Sequence, residues 1–300
     1  MRFDKWLNNN TESLKGKTVA ISGSTGGIGK HICRYLASLG ASIVLLDRNH
    51  ERSIANKLAI EKEFPGTDVS MLSLDLVDIG SVAYATERLK EISPDVLIHN
   101  AGAYSIPRCI SSSGYDNVFT INFLSPYYMI RELLPTLRGK NGRVVVVGSI
   151  AHNYSKINVN DVDFSEIKPA SKVYGNANRF LMFSLFELFK DEQGVVLSVT
   201  HPGITFTNIT AHYPKLIFAV IKHPMKVIFM KAEKAALSIV KGLFDNTEYH
   251  TWIGPRVFDV WGLPSKSRLR TCSLSESVTI GRLADEIYAE VKNKIDTALK

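Results

Sequence analysis

Three glycines spaced G-x-x-x-G-x-G stand between an apolar run and a helical pattern, at Gly23, Gly27 and Gly29. The run before them, residues 18–21, is apolar and rich in β-branched side chains, which predicts a buried strand. A strand, a glycine turn and a helix present free N–H groups and a positive helix end to a pyrophosphate. A turn without a ligand is the alternative, because the spacing departs from the commonest dinucleotide fingerprint. The other residues of the turn that would contact the phosphates are Ser24, Thr25 and Ile28.

Each glycine has a separate physical reason. Gly23 would let the chain turn off the strand, Gly27 would leave room for the phosphates, and Gly29 would let the helix pack closely. Further along, residues 42–46 predict a second buried strand, and Asp47 and Arg48 follow it.

Asp47 stands about 20 residues past the glycines, where dinucleotide-binding folds carry an acid that accepts hydrogen bonds from the adenosine ribose. A carboxylate there would repel a 2′-phosphate and so favours NAD, although a turn or helix-capping acid explains the same position. Arg48 opposes this preference, because a guanidinium suits that phosphate. We expect NAD as the cofactor, with NADP as the alternative.

Further candidates follow the third and fourth predicted strands, residues 69–74 and 95–98. Asp75, with Leu76 beside it, stands where a carboxylate could meet the adenine amino group, although a helix cap explains the position equally well. After the fourth strand, small side chains would let the backbone approach a cofactor closely. This second stretch contains Asn100, Ala101 and Gly102.

Alternating strands and helices must position these residues, and further strands are predicted at 143–147, 195–199 and 250–253. The alternation predicts a single doubly wound Rossmann-type α/β domain, with about seven mainly parallel strands in the order 3-2-1-4-5-6-7 and helices on both faces. Ligands of such sheets bind at the carboxyl ends of the strands, where the fifth strand delivers Ser149. We divide the chain into an N-terminal extension (1–15), the domain (16–260) and a C-terminal segment with a helix (261–300).

Composition limits the class of protein. The chain has 300 residues, of which 45% are hydrophobic and 22% charged, which suits one large α/β domain or two small ones. The net charge of +7 raises nucleic acid or an anionic membrane as partners, but the bases are scattered, so a solvated basic surface is favoured and nucleic acid is not expected.

Three cysteines without a C-x-x-C pair predict reduced thiols and no metal site. No apolar run suits a signal peptide or a membrane span, so we expect a cytoplasmic protein.

Together the motifs resemble the short-chain dehydrogenase/reductase family, in that family's order and spacing. They are Ser22-Gly23-x-x-x-Gly27-Ile28-Gly29, His99-Asn100-Ala101-Gly102, Asn122, Ser149, Tyr174 and Pro202-Gly203. The resemblance covers roughly residues 15–260, and the stretches 143–152 and Trp261-Gly262 resemble its retinol dehydrogenase-like and hydroxysteroid dehydrogenase-like branch. It implies an NAD(P)-dependent oxidoreductase that interconverts an alcohol and a ketone or aldehyde.

The resemblance also implies roles for single residues. Tyr174 would be the general acid/base that exchanges a proton with the substrate oxygen, and Ser149 would hydrogen-bond and orient that oxygen. Asn122 would hold a water of the proton relay. The residues that would place the nicotinamide or contact its carboxamide are Pro202, Gly203, Ile204 and Thr207.

One position departs from the family, which has a lysine four residues after the tyrosine where this chain has Asn178. Positions i and i+4 share a helix face, so the lysine's cation would lower the tyrosine pKa and hold the ribose hydroxyls. Asn178 can hydrogen-bond a ribose but carries no charge, and Arg179 is rotated by about 100° around the helix. An engineered substitution, a naturally weakened enzyme and a cofactor-binding protein without turnover all stay open.

The segment after Pro202-Gly203 forms the substrate lid in that family, here residues 208–231. It is apolar and aromatic with interleaved lysines, which favours a small hydrophobic alcohol or ketone of steroid or retinoid type as the substrate. Peripheral membrane contact, which is not favoured, and simple core packing are alternatives. The helix that Tyr174 opens is apolar nearly all round over residues 180–189, so a homodimer or higher homo-oligomer through that helix is expected.

Three functions therefore compete. The first is an active NAD(P)-dependent oxidoreductase. The second is a non-catalytic dinucleotide-binding regulatory protein, with Asn178 as its mark. The third is a basic protein that binds nucleic acid or a membrane through its surface.

Overall fold

The computed structural model describes residues 3–205 and 229–298, and these contain one eight-stranded sheet. The strands are β1 (Thr18–Ser22), β2 (Ser42–Asp47), β3 (Val69–Ser73), β4 (Val96–His99), β5 (Arg143–Val147), β6 (Val196–Thr200), β7 (Thr251–Val257) and β8 (Trp261–Arg268). Their order is β3-β2-β1-β4-β5-β6-β7-β8, with β8 antiparallel to β7 and all other neighbours parallel. Since β1 pairs with β2 on one side and β4 on the other, the strand order reverses there, and a crevice opens at their carboxyl ends.

Helices cover both faces of this sheet. They are α1 (Asp4–Asn10), α2 (Gly27–Ser38), α3 (His50–Glu63), α4 (Ile79–Ile92), α5 (Asn117–Phe119), α6 (Ser125–Arg138), α7 (Ala170–Leu188), α8 (Ala232–Gly242) and α9 (Leu274–Ala298). A π-helical segment, Thr120–Leu124, joins α5 to α6, and a 3₁₀-helix, Ile150–Tyr154, follows β5. One core packs α2, α3 and α8 on the sheet, and the other packs α4, α6, α7 and α9 on the opposite face. Both faces are therefore buried, which explains the continuous valines of β5.

The predicted α/β sheet and the order of its first seven strands are confirmed, and an eighth strand is added at the edge. The sequence analysis placed residues 261 onward in a C-terminal segment and missed β8. Its sequence explains this, because Gly262 and Pro264 interrupt the apolar pattern and Lys266 and Arg268 make it polar. A polar strand with a proline is typical of a sheet edge.

The apolar face of α7 is covered by the chain's own C-terminal helix. Ile280, Ala284 and Ile287 of α9 are buried in the same core as the phenylalanines of α7. Arg179 of α7 forms an ion pair of 2.7 Å with Glu276 of α9. The homodimer was predicted because that face needed a partner, and this premise is wrong. The homo-oligomer itself stays a prediction.

Candidate active site

The glycine turn between β1 and α2 brings backbone segments unusually close together. Gly23 has a φ of +69°, a conformation that side chains disfavour. A Cβ on Gly23 would lie 2.8 Å from Ala101 Cα, and a Cβ on Gly29 would lie 2.1 Å from the Gly23 carbonyl oxygen. Asn100 stabilises the turn, because its Nδ2 donates to the Gly23 carbonyl over 3.0 Å. Only glycine fits at these two positions, and the backbone stays open to a ligand.

A cavity of about 360 Å³, here called the glycine cavity, lies at the carboxyl ends of the first four strands. The predicted cofactor residues that line it are Gly23, Thr25, Gly27, Ile28, Gly29, Asp47, Arg48, Asp75, Leu76, Asn100, Ala101 and Gly102. Sequence reasoning did not identify Asn49, Arg52 and Ile121, which also line it. On one wall the glycine turn has no side chains and leaves room for phosphates, and the other wall carries polar groups. The cavity therefore fits a dinucleotide.

Asp47 is buried and holds the glycine turn in place. Its Oδ2 accepts hydrogen bonds from the hydroxyls of Ser24 over 2.5 Å and Ser53 over 3.0 Å, and its Oδ1 faces Thr25. The Ser24 side chain, predicted at the cofactor, is committed to this network, so only its backbone could face a ligand. Much of the hydrogen-bonding capacity of Asp47 is likewise used within the protein.

The charged groups beside Asp47 are more open. The Arg48 side chain is largely exposed, and its guanidinium lies 4.0 Å from the Asp75 carboxylate. Asp75 also accepts a hydrogen bond of 3.2 Å from the backbone N–H of Val77, so it lines the cavity and supports a turn. Both predicted uses of Asp75 are compatible with this position.

A second cavity of about 420 Å³, here called the tyrosine cavity, continues the first and shares Ile28, Asn100, Ala101, Gly102 and Ala103 with it. The predicted residues that it brings together are Asn122, Ser149, Tyr174, Asn178, Pro202, Gly203 and Ile204. None of its described lining residues carries a formal charge at neutral pH. Thr207 and residues 208–228 of the predicted lid lie outside the described residues.

Tyr174 is half-buried in the wall of the tyrosine cavity. Burial raises the pKa of its phenol, and hydrogen bonds from Asn178 and Ser149 offset part of that rise. The Tyr104 ring lies edge-on, with ring centroids 5.3 Å apart, and raises the pKa further. The phenol therefore has two neutral hydrogen-bond partners and no cationic one among the described residues.

Arg179 cannot supply the missing cation. Its side chain is fully buried and binds Glu276 through Nε over 2.8 Å and Nη2 over 2.7 Å. It also donates to the backbone carbonyl groups of His152 and Thr271. The guanidinium is therefore engaged by these partners and ties α7 to α9.

Asn122 lies in the π-helical segment, and such segments are frequent at functional sites. Its Nδ2 donates to the carbonyl groups of Ala103 over 2.9 Å and Val118 over 2.7 Å, and its Oδ1 accepts from the Ala103 N–H over 3.0 Å. A Cβ on Gly102 would meet this oxygen at 2.8 Å. Asn122 thus fixes the loop that forms the wall between the two cavities.

Two buried histidines hold the backbone that carries Ser149, and sequence reasoning gave neither of them a role. His152 Nδ1 lies 2.7 Å from the Ser149 carbonyl oxygen, and His201 Nδ1 lies 3.3 Å from that of Gly148. His201 stacks on Trp252 with ring centroids 4.7 Å apart. Burial lowers the pKa of both imidazoles to about 4, so they are neutral at pH 7. The short spacing from Ser149 to His152 was the one available signal.

Two aromatic side chains on the tyrosine cavity, Tyr104 and Tyr154, were missed because they follow no motif. A third, Phe229, falls within the predicted lid. No cluster of His, Cys, Asp or Glu within residues 3–205 and 229–298 is arranged to hold a metal ion. In the same ranges, no helix is both long and apolar enough to cross a bilayer.

Comparison with known proteins gives the same family along most of the chain. The profile described as short chain dehydrogenase matches residues 17–215. An uncharacterised oxidoreductase of Schizosaccharomyces pombe is 32% identical over 225 residues, which cover 70% of this chain and 66% of the relative. Retinol dehydrogenase 14 of Mus musculus is 29% identical over 214 residues, or 66% of this chain and 64% of the relative. The chain spans about half to two thirds of the length of the curated relatives it matches.

Solved structures share the fold. A crystal structure of an uncharacterised protein from Mycobacterium paratuberculosis has a TM-score of 0.74 and 22% identity, covering 93% of this chain and 95% of its own. A short-chain dehydrogenase from Sphingobium yanoikuyae in complex with NADPH has a TM-score of 0.58 and 22% identity, over 75% and 84% of the two chains. These likenesses concern the fold alone, whereas the family profile covers more than half of the sequence. This protein belongs to the short-chain dehydrogenase family.

Proposed function

We propose that this protein is an NAD(P)-dependent oxidoreductase that interconverts a hydrophobic alcohol and its ketone or aldehyde, and that its turnover is slow. One observation carries the proposal. Ser149, Tyr174 and Asn178 converge on one cavity, and that cavity continues into the glycine cavity. A proton-transfer group and a dinucleotide cradle then share a single cleft.

The chain's own residues divide the work of binding. The turn around Gly27 would hold the pyrophosphate on backbone N–H groups at the start of α2. Asp47 would face the adenosine ribose, and Pro202, Gly203 and Ile204 would position the nicotinamide. Thr207 is proposed at the carboxamide. When bound, the nicotinamide supplies the hydride acceptor or donor at its C4 atom.

Tyr174 would take the hydroxyl proton of an alcohol during oxidation and return it during reduction. Ser149 would donate a hydrogen bond to the same substrate oxygen and hold it against the phenol. His152 and His201 would support this step by holding Ser149 in position. Their Nδ1 atoms lie beside the backbone carbonyl oxygens of Ser149 and Gly148, respectively. Asn122 is proposed to hold a relay water from the wall between the cavities.

Asn178 limits this chemistry. Proton abstraction requires the phenolate, and burial raises the pKa of Tyr174 while no described lysine or arginine lowers it. Asn178 donates its Nδ2 to the Tyr174 carbonyl oxygen over 2.9 Å, as well as bonding the phenol. We therefore expect cofactor binding with slow turnover and an alkaline optimum for alcohol oxidation.

The substrate is proposed to be apolar, of steroid or retinoid type. The described lining of the tyrosine cavity is uncharged and includes Tyr104, Ile150, Tyr154, Leu181 and Phe229. Such walls suit hydrophobic ligands with a few polar groups for orientation. One similar protein is named for retinol, a hydrophobic alcohol.

NAD(H) is proposed as the preferred cofactor because the carboxylate of Asp47 lines the glycine cavity beside the proposed ribose position. Arg48 and Arg52 also line this cavity and would attract a 2′-phosphate. NADP(H) is therefore expected to bind more weakly but measurably. A cytoplasmic location stays a prediction, and so do the three domain boundaries.

A non-catalytic dinucleotide-binding regulator is the second candidate, and Asn178 is the observation that favours it. One experiment separates the two. Fluorescence titration with NADH measures binding, and absorbance at saturating cofactor measures turnover on a panel of apolar ketones and alcohols. Binding with slow turnover that Tyr174→Phe abolishes supports the enzyme. Binding with no turnover on any compound supports the regulator, and no binding contradicts both.

A further inference from the structure

The turn between β7 and β8 carries large apolar side chains on the outside of the protein. Phe258 is 91% exposed, and its neighbours Val257, Trp261 and Leu263 are 45%, 43% and 46% exposed. Single exposed apolar residues are ordinary on protein surfaces. Four within seven consecutive positions of one hairpin form a patch, and such patches mark interaction sites.

The backbone of the turn makes Phe258 an unexpected residue. Phe258 and Asp259 have φ values of +53° and +56°, and the Val260 N–H donates to the Val257 carbonyl over 3.0 Å. Two central residues at positive φ, closed by this hydrogen bond, define a tight turn of the kind that favours Asn and Gly. A phenylalanine at positive φ is strained, and its ring lies almost entirely in solvent. No contact within residues 3–205 and 229–298 accounts for a phenylalanine here, so we look for its role in an interaction at the surface.

The patch is bordered by positive charge. Arg256, Lys266 and Arg268 are exposed, and none of them forms an ion pair with a residue of the described ranges. The ammonium group of Lys234 lies 4.6 Å from the centre of the Trp261 ring. The nearest carboxylate in the turn, that of Asp259, accepts a hydrogen bond from Ser267 over 3.0 Å. The hairpin has an apolar tip with cations on its flanks. It is therefore complementary to a surface that has anionic groups on the outside and an apolar layer beneath them.

The edge strand argues against a second copy of the chain as the partner. β8 is the outermost strand, so its free edge could pair with another sheet. Pro264 cannot donate a hydrogen bond there, and the cations of Lys266 and Arg268 would face those of a second copy. Proline and charge are the devices by which proteins block edge pairing.

The hairpin also lies next to the tyrosine cavity. A Cβ on Gly203, which lines that cavity, would lie 2.7 Å from the Val260 carbonyl oxygen and 2.8 Å from Pro255 Cγ. The base of the hairpin and the wall of the cavity are therefore in direct contact.

We propose that the β7–β8 hairpin docks this protein on an anionic phospholipid membrane. The Phe258 side chain enters the interfacial layer, where aromatic rings are favoured. Arg256 and Lys266 bind the headgroups, because basic residues beside an apolar patch are attracted to anionic lipid. This binding does not require the proposed reaction.

Co-sedimentation tests the proposal with vesicles of phosphatidylcholine, with and without phosphatidylserine. The intact protein should bind the phosphatidylserine vesicles more tightly, and added salt should weaken binding. Phe258→Asn should reduce binding about tenfold, given the free energy of burying a phenylalanine. Arg256→Gln should reduce it about fivefold, since a basic residue near an anionic surface contributes about 1 kcal/mol.

Tyr84→Asn is the matched control, because Tyr84 is 62% exposed on α4, away from the hairpin. It should bind vesicles like the unaltered protein. Phe258→Asn should fold normally, because asparagine tolerates positive φ, and thermal melting checks this. No binding to phosphatidylserine vesicles, or equal binding by folded Phe258→Asn and the unaltered protein, would overturn the proposal.

Discussion

The glycine cavity and the tyrosine cavity share a wall but differ in charge. The glycine cavity is lined by two arginines and two aspartates, at positions 48, 52, 47 and 75. The tyrosine cavity has no charged side chain among its described lining residues, and burial keeps His201 neutral. One half of the cleft therefore carries charged groups of both signs around the glycine turn. Among the described residues, the other half has the proposed proton-transfer group, Tyr174, and no charged group beside it.

This difference separates binding from turnover. Phosphate binding depends on backbone N–H groups and glycine geometry, which the chain provides. Proton transfer depends on the pKa of one phenol, which burial raises. The account therefore predicts that changes in the two cavities have different effects.

The largest expected effect follows from adding charge to the tyrosine cavity. A cation near a titrating group lowers the pKa by about 1–3 units, so Asn178→Lys should raise the neutral-pH rate of alcohol oxidation about 10- to 1000-fold. Steady-state kinetics on apolar alcohols measures this. Asn178→Gln, which adds no charge, should give no such gain, and Tyr174→Phe in the lysine background should abolish activity. A fast protein as written, with no gain from lysine, would contradict the comparison.

In the glycine cavity the largest effect comes from geometry. Gly29→Ala would place a Cβ 2.1 Å from the Gly23 carbonyl oxygen, so the turn must move. Since a displacement of about 1 Å can reduce efficiency about a hundredfold, we expect a loss of that order in kcat/KM for the cofactor. Fluorescence titration should show weaker NADH binding as well. Gly80→Ala is the control, because its Cβ would meet its nearest atom at an ordinary 3.4 Å.

Acid should lower the free energy of unfolding, because three histidines are buried in or beside the tyrosine cavity. Burial lowers the pKa of His99, His152 and His201 to about 4, below the unfolded value of about 6.5. The unfolded chain then binds more protons between these values, so stability is full above pH 6.5 and falls as the pH drops toward 4. The expected slope is on the order of 1.4 kcal/mol per pH unit for each imidazole.

Urea unfolding at a series of pH values measures that slope. His152→Gln should make it shallower, whereas His50→Gln, at an exposed position at the start of α3, should leave it unchanged. An unfolding free energy that is constant from pH 6.5 to 4 would show that these histidines are not held neutral.

The smallest expected effect concerns the choice of cofactor. Arg48→Ala should weaken NADP(H) binding about tenfold and leave NAD(H) unchanged, because a charge-assisted hydrogen bond contributes about 1.5–3 kcal/mol. Asp47→Asn should shift the ratio of the two affinities toward NADP(H) by a similar factor, while the loss of its hydrogen bonds to the glycine turn weakens the binding of both cofactors. Parallel titrations with both cofactors measure this, with Arg282→Ala on α9 as a distant control. If the unaltered protein binds NADP(H) more tightly than NAD(H), Arg48 and not Asp47 determines the cofactor preference.

Local patterns predicted much of the cleft. Gly23 and Gly29 were assigned from spacing, and both positions exclude a Cβ. The departure at Asn178 was visible in the sequence, and so was the inability of Arg179 to replace a lysine. These features depend on turn geometry and helix periodicity, which short stretches of sequence encode.

Features that depend on contacts between distant segments could not be predicted. The apolar face of α7 required a cover, but nothing in its sequence indicated whether α9 or a partner provides it. The Ser24 hydroxyl turns toward Asp47, 23 residues away, and not toward a ligand. The strand β8 was hidden because an edge strand needs neither continuous apolar residues nor alternation.

The central claim is that Tyr174 has no cationic partner among residues 3–205 and 229–298 and that its pKa is raised. Carbon-13 NMR of tyrosines labelled in the ring measures its pKa directly in the cofactor-bound protein, with Tyr174→Phe to assign the signal, and needs no known substrate. The account predicts a pKa above that of a free tyrosine in the protein as written and a value about 1–3 units lower in Asn178→Lys. A Tyr174 signal that titrates near neutral pH in the unaltered protein, or does not move in Asn178→Lys, would contradict it.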